Sequence, residues 1–493
     1  LPAGIAEKSV TSLLRRQSVR VFSIMEQYPR DCHRLETSGT PGEQRTCLHC
    51  YRTTISLQQE ELQMRKWYSL IDKVYSRKNL LEAFDKVRRN KGGKARGIDG
   101  VNAKDFGEHM SDELNQLHEE LQRGTYKPQA VKRVYIDKPD GSKRPLGIPT
   151  IRDRVVQQAL LNVLQPIFDP DFHPSSYGYR PNRSAHHAIA KAERFTRHYG
   201  LEHVVDMDLS KCFDTLDHEL ILSAVNEKVS DGKVLKLISA FLKSGIVEDG
   251  KLNPTEVGSP QGGIISPLLT NIYLDRFDQY MKSKGIRIVR YEDDILIFAT
   301  TKSQAGSYRA IATKYLEEDL KLRVNIRKTH LTNLEQGIPY LGFVLQNYGV
   351  LVTDKAVTKL KEKVRQFTPR NHGKKLEYYL DELGQTLKGF SMYYRAALSK
   401  KLFSKLMSWI RRRLRMMVMK SWKSWKGLHK QLRRMGYKGE FEKISVTRWR
   451  NSNCQLVHMA LPNSWFDDKF LFNMENVRTN TLHQYYNFVL NKV

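Results

Sequence analysis

Cysteine is scarce, with five in 493 residues. That is too few for a disulfide framework and fits reduced thiols of the cytosolic kind. Cys32-His33 followed by Cys47-x-His49-Cys50 offers the residue types of a zinc site, but the second group lacks the usual matching spacing and the stretch reads as a poorly ordered tail, so zinc binding there stays an open question. Cys212 and Cys454 stand alone and read as packing residues. Long apolar runs are also missing. No stretch approaches the ~18 consecutive apolar residues of a membrane span, and charge interrupts every short apolar run near the N-terminus, which argues against a secretory signal. The expected compartment is the cytoplasm, with no membrane partner. Acidic residues are outnumbered: 53 Asp and Glu face 82 Lys and Arg, leaving a net charge of +29 and a pI near 9.7. Such an excess is the footprint of a polyanion binder, and its spread along a long chain favours nucleic acid over a membrane surface.

What is present supports several folded parts, since 40% of the residues are hydrophobic. The basic excess peaks late: Arg395 to Arg450 holds eighteen Lys or Arg against two acids, interleaved with Trp409, Trp422, Trp425, Tyr437 and Trp449. That mixture suits phosphate contact and base stacking, and equally a solvated basic helix face. Residues 1–65 are polar and weakly periodic and read as an extension. Leu80, Leu81, Phe84 and Val87 recur at helical spacing before Gly92, Gly93 and Gly97 force a loop. Val131 to Ile136 alternates as a strand, Asp140-Gly141 supplies hairpin turn chemistry, and Val155 to Leu164 reads as a helix closed by Pro166. In "HVVDMDLSKCFDTLDH", Val205, Met207 and Leu209 point to one side of a strand and Asp206 and Asp208 to the other, giving an apolar and an acidic face. "VRYEDDILIFA" reads as two short strands around a hairpin tip at Glu292-Asp293. Helical stretches around Leu220 to Leu242 and Pro267 to Met281 make the pattern α+β. After Gly342 the composition turns helical and basic, and this second part reads as a separate module.

Nucleotidyl transfer uses two divalent cations, one to activate the primer 3'-oxygen and one to neutralise the leaving pyrophosphate. Carboxylates on two sheet elements can bridge such a pair, and Asp208 with Asp293 and Asp294 offers that set. Three acids so placed repel one another unless a cation compensates them. An acidic pair in a turn is common by itself, so the context has to carry the assignment.

That context is an ordered series of strings: "NLLEAFDKVRRNKGGKARGIDG", "YKPQAVKRVYIDKPDGSKRPLGIPTIRDRVVQQAL", "SSYGYRPNRSAHHAI", the acidic strand, "GSPQGGIISPLLTNIYLDRFD", "RYEDDILIF", "LRVNIRKTHL" and "PYLGFVL". In that order, over roughly residues 68 to 425, the chain resembles the reverse transcriptase/maturase proteins encoded by bacterial group II introns. The resemblance implies a right-hand polymerase, with fingers and palm carrying an antiparallel sheet over 66–345, a helical thumb or maturase domain over 346–425, and a small basic nucleic-acid-binding region over 426–493. Asp208, Asp293 and Asp294 would hold two magnesium ions, with manganese as an alternative. Phe213 would be the steric gate beneath the incoming sugar, against the plain reading of a core aromatic. Lys138 and Arg144 would bind the triphosphate. Gln261 would sit beside the nascent base pair, with Gly262 and Gly263 letting backbone approach template or nucleotide. Lys328 would protonate the leaving pyrophosphate or, equally, act there as a general electrostatic partner. Tyr177, Arg180 and Arg183 would line the template path, and Tyr340, Leu341, Gly342 and Phe343 would form the primer grip. Arg411, Arg412, Arg413 and Arg415 would contact template or primer. The implied partners are an RNA template, a DNA or RNA primer, deoxynucleotides, structured group II intron RNA and target DNA, with roles in splicing and retrohoming. No His-Asn-His pattern with paired Cys-x-x-Cys follows Trp425, so an endonuclease module is not expected. The chain departs from the family at Glu292, where alanine is usual, and a third carboxylate beside the metals adds charge and bulk next to the primer end. An intron-free reverse transcriptase in DNA repair or defence, and a non-catalytic RNA-binding maturase, are the competing readings.

Overall fold

The computed structural model describes residues 66–137, 141, 143–253, 257–258, 262–369, 373, 375–422, 424–440, 454–469 and 471–490. Lys138, Gln261 and the zinc question at Cys32, His33, Cys47, His49 and Cys50 fall outside them. The chain divides into two units, Leu1–Trp67 and Tyr68–Val493, and every described helix and strand lies in the second.

Helix α1 (Arg77–Arg89) buries Leu80, Ala83, Phe84 and Val87. Leu81, expected on that stripe, stays exposed because the buried row steps by three and four residues and leaves position 81 off its face. After α2 (Met110–Arg123) comes α3 (Ile151–Phe168). The α3 helix does not close at Pro166. Thr150 Oγ1 caps its start by accepting from the Asp153 amide at 3.2 Å. A proline this near the end costs one hydrogen bond, and buried Leu164 and Phe168 hold the last turn. The glycine loop before it is held by buried Arg154, whose guanidinium donates to the carbonyls of Gly92 and Ala95, both at 2.8 Å.

Strands β1 (Val131–Asp137) and β2 (Lys143–Ile148) form an antiparallel hairpin, extended by β4 (Ile246–Glu248) and β5 (Lys251–Asn253) in the order β2-β1-β4-β5. The β1–β4 pair is parallel, so this sheet is mixed rather than wholly antiparallel. The long connection between those two strands permits the parallel pairing.

The second sheet carries the acids. It consists of β3 (His203–Met207), β6 (Arg287–Tyr291), β7 (Asp294–Ala299) and β8 (His330–Asn333), in the order β6-β7-β3-β8 and antiparallel throughout. Helix α4 (Ala185–Arg197) covers one face through Ala188, Ala192 and Phe195, packed with Val204, Val289, Leu296 and Phe298. Val204 is on the same face as Asp206 and Asp208, so that face is acidic only toward its end and apolar beneath α4. The expected helical stretch from Leu220 to Leu242 is two helices, α5 (His218–Asn226) and α6 (Gly232–Leu242), because Asp231 intervenes as a cap. Asp231 Oδ1 accepts from the amides of Lys233 and Val234, and Oδ2 accepts from those of Leu70 and Ile71 at 2.7 and 2.9 Å. Helices α7 (Ser266–Ser283) and α8 (Lys302–Lys314) also pack against the sheet.

A three-stranded meander, β9 (Ile338–Tyr340), β10 (Phe343–Gln346) and β11 (Gly349–Val352), leads into α9 (Asp354–Phe367), α10 (Leu376–Tyr394), α11 (Lys400–Ser421) and α12 (Trp425–Arg434). These helices share an apolar core with Val457, Leu461, Phe466 and Met474. The basic helices thus have an apolar core of their own, while Ala397, Leu482 and Val489, with Leu345 and Val350 of the meander, join the core of α4 and the acidic sheet. Among the described residues, no helix is long and apolar enough to cross a membrane.

Candidate active site

Register brings the three aspartates together. Met207 pairs with Ile295 across β3 and β7, so one step further Asp208 meets Asp294 on the same face. The strand direction persists past β3 because Leu209 bridges Val324 and the Ser210 amide donates to the Arg323 carbonyl at 2.8 Å. Tyr291 pairs with Asp294, leaving Glu292-Asp293 as a two-residue hairpin turn in which Glu292 takes a φ of 60°.

Asp208 accepts from the Asn325 side-chain amide at 3.0 Å and pairs with the Lys328 ammonium at 3.2 Å. Burial, and then repulsion from Asp208, push Asp293 above the usual carboxylate range, against the pull of Arg144 and Lys328. Asp294 is pushed up to about 7, first by the protein crowding around it although its surface is exposed, then by Asp293, Asp206, Asp208 and Glu292. Asp206 rises to about 6 by burial, with Asp208 adding to it and His330 opposing. Mutual repulsion among hard oxygen donors is what a divalent cation relieves, so this donor set fits magnesium. Among the described residues no three acidic, histidine or cysteine side chains already stand at metal-holding distance.

Beside Asp208 opens a cleft of about 850 Å³, lined by Lys211, Lys321, Arg323, Asn325 and Lys328 among others. Its cations face the end of the acidic strand and suit a polyphosphate. Phe213 is half-buried, with the Tyr179 ring edge-on to it at 6.5 Å. Arg144, on β2, acts electrostatically on Tyr179, Glu292 and Asp293.

Several expected contact residues are committed elsewhere. Arg180 is buried and donates to Asp169 at 2.7 Å and to the carbonyls of His173 and Ser176. Arg183 donates to the carbonyls of Pro174 and Ser176, and Tyr177 is buried under it. Their hydrogen bonds hold the segment from Pro174 to Tyr177, which joins β6 through the Tyr177 amide and the Arg290 carbonyl. Tyr340 and Phe343 are core residues, and the turn Leu341-Gly342 between them has φ values of 49° and 83°. Arg411 is buried against Glu475 at 2.7 Å, and Arg415 donates to the Leu461 carbonyl and Asn463. Arg413 donates to Thr368, and Arg412 is exposed. For buried Arg180, Arg411 and Arg415 the physical reason is that a desolvated guanidinium is held by partners within the fold. Gly262 also differs from expectation: a Cβ there would lie 2.3 Å from the Gly147 carbonyl oxygen, so its bareness admits β2.

Asn325, Gly178, Tyr179 and the cleft cations Lys211, Lys321 and Arg323 were not singled out from sequence. All but Lys321 lie inside the strings quoted above, "LRVNIRKTHL", "SSYGYRPNRSAHHAI" and "HVVDMDLSKCFDTLDH", but nothing local marks them as neighbours of an acid on another strand.

An antiparallel sheet that presents three aspartates at its end, over a cation-lined cleft, defines the palm of a nucleic-acid polymerase. Residues 136–345 match the family of reverse transcriptases (RNA-dependent DNA polymerases), and residues 357–436 match the maturase-specific domain of group II introns. Protein YkfC of Escherichia coli K12 is 36% identical over 329 residues, 58% of this chain and 86% of YkfC. Group II intron-encoded protein LtrA of Lactococcus lactis subsp. cremoris is 40% identical over 200 residues, 40% of this chain and 33% of LtrA, so the match spans a third of that relative. The telomerase from Candida albicans in complex with a fragment of telomeric RNA aligns with a TM-score of 0.36 at 13% identity over 64% of this chain and 63% of its own, too loose a likeness to carry weight. The chain belongs to the group II intron reverse transcriptase/maturase family. Membership implies a divalent metal and nucleic-acid partners, RNA among them.

Proposed function

We propose that the protein extends a primer on an RNA template with deoxynucleotides by two-metal nucleotidyl transfer, and that it also binds structured intron RNA in splicing and retrohoming. The observation that carries the reading is the register that sets Asp208 against Asp294 with Asp293 in the adjoining turn. Two magnesium ions held by these three aspartates would activate the primer 3'-oxygen and neutralise the leaving pyrophosphate. Arg144, on β2, binds the triphosphate, and Lys138 shares that role. Lys328 neutralises phosphate charge in the cleft and supplies a proton to the departing pyrophosphate once Asp208 releases it. Phe213 closes the sugar pocket and rejects a 2'-hydroxyl by bulk. Gln261 would contact the nascent base pair, a role the family resemblance implies. Arg412 and the exposed lysines of α9 and α11 offer the thumb's phosphate contacts.

The test substitutes Asp208→Ala and Asp293→Ala. Magnesium-dependent primer extension is expected to vanish in both, while RNA affinity stays within a few-fold, because phosphate binding and metal ligation use different residues. Extension surviving in either variant overturns the site.

A further inference from the structure

Glu292 occupies the left-handed region with a φ of 60°, an uncommon conformation for a residue with a side chain. Its surroundings over-determine it. The buried Arg290 guanidinium donates to the Glu292 carbonyl at 3.1 Å and to Asn271 Oδ1 at 3.0 Å, and the Asn271 amide donates to the Gly178 carbonyl at 2.9 Å. Strand β6 and the segment through Gly178 are further tied by the Tyr177 amide, which donates to the Arg290 carbonyl at 2.9 Å. Gly178 lies flat under the turn: a Cβ on it would come within 2.5 Å of the Glu292 amide nitrogen and 2.6 Å of its Cγ. The Glu292 side chain is thereby led along Gly178 toward Tyr179, and its carboxylate and the Tyr179 hydroxyl lie close enough to act on one another. Tyr179 is itself left-handed, with a φ of 55°, and its ring meets Phe213 edge-on at an interplanar angle of 78°. Arg144 acts electrostatically on both Tyr179 and Glu292.

We propose that Glu292 is a positioning residue for sugar selection: by anchoring the Tyr179 hydroxyl it keeps the Tyr179 ring against Phe213, and so fixes the ring that excludes a 2'-hydroxyl. This rests on the reading of Phe213 as the gate. A phenylalanine braced on one edge by a fixed neighbour cannot turn aside to admit an extra oxygen, whereas an unanchored tyrosine yields with it.

The experiment measures single-nucleotide incorporation of deoxyribonucleotide and ribonucleotide on one primer–template, as the ratio of the two kcat/KM values. Wild type is compared with Phe213→Val, Tyr179→Phe, Glu292→Ala, Glu292→Gln and the Tyr179→Phe/Glu292→Ala double variant. Because the ratio is taken within one preparation, a poorly folded fraction lowers both terms and leaves it unmoved. Tyr179→Phe and Glu292→Ala are each expected to lower discrimination by roughly tenfold, the low end of what one packing contact contributes. The double variant should be no worse than either single, since both break one link. Glu292→Gln should stay close to wild type, because its amide oxygen still accepts from Tyr179. Unchanged discrimination in Phe213→Val sinks the gate itself. A loosened Phe213→Val beside unchanged Tyr179→Phe and Glu292→Ala overturns the relay alone. Additive losses in the double variant, or a Glu292→Gln that behaves like Glu292→Ala, overturn it too, the latter by showing that charge rather than the hydrogen bond matters.

Discussion

His173 is buried just ahead of the segment that supports the β6–β7 hairpin, and its Nδ1 accepts from the Ser175 amide at 3.1 Å. Burial lowers its pKa from 6.5 to about 4. The folded value lies below the unfolded one, so between those two pH values the unfolded chain binds more protons. Stability from this group is complete above about 6.5 and falls as pH drops toward 4. Between pH 7 and pH 5 the wild type is expected to lose about 2 kcal/mol more than His173→Gln, which cannot titrate. Denaturant unfolding at the two pH values checks this. Equal losses in both proteins would falsify the assignment. Asp275, which accepts from the His173 amide at 2.8 Å and is raised to about 6, has the opposite slope, which is why the variant difference is the informative quantity.

At the level of the element, the hairpin of β6 and β7 depends on a brace hidden beneath it. Arg290 and Asp278 are both fully buried, with Nε and Nη2 donating to the carboxylate at 2.6 to 2.9 Å. Such a pair is weak evidence of stability by itself, but removing one partner strands a desolvated charge and costs about 3–5 kcal/mol. Arg290→Met and Asp278→Asn should each destabilise by that order, read from urea midpoints. The double variant Arg290→Met/Asp278→Leu should lose less than either single, since no buried charge is stranded. It should still extend primers poorly, because the Glu292 carbonyl and Asn271 lose their donor. If the double variant recovers full extension, the brace does not position the hairpin. Among the late helices, Arg411 ties α11 to Glu475, and Arg415 ties it to the Leu461 carbonyl and Asn463.

Across the whole molecule, the chain's late segment returns to the palm. The Asn480 amide donates to the Ala397 carbonyl and the Thr481 amide to that of Arg395. The Lys191 ammonium donates to the Val489 carbonyl at 3.1 Å, and the Tyr486 hydroxyl to Glu193 at 2.6 Å. Tyr485 stacks on His186, and Phe488 packs on His187. These residues cover the outer side of α4, whose inner side supports the acidic sheet. Deleting residues 471–493 removes none of the proposed site residues, yet it is expected to cost at least about 3 kcal/mol, since the cover includes Leu482, Val489 and several aromatics. Primer extension should fall with it. A thermal midpoint and extension rate equal to wild type would show that the return is only a tether.

Much of the palm was legible in the sequence because its signals are local. Alternation around Asp208, turn chemistry at Glu292-Asp293 and the apolar spacing of α1 and α7 each operate within a few residues. The ordered strings then identify the family, and the proposed metal ligands follow from them. What local patterning could not tell was the fate of individual charges. Arg180, Arg411 and Arg415 look like phosphate binders by type, but each is claimed by acids or carbonyls on another segment, some of them dozens of residues away. Glycine behaves similarly: Gly178 and Gly262 are bare because of Glu292 and Gly147, which only the folded chain brings near. The division follows range, since backbone and side-chain preferences act between sequence neighbours, whereas desolvation and hydrogen-bond satisfaction depend on whatever the tertiary fold delivers to the same place.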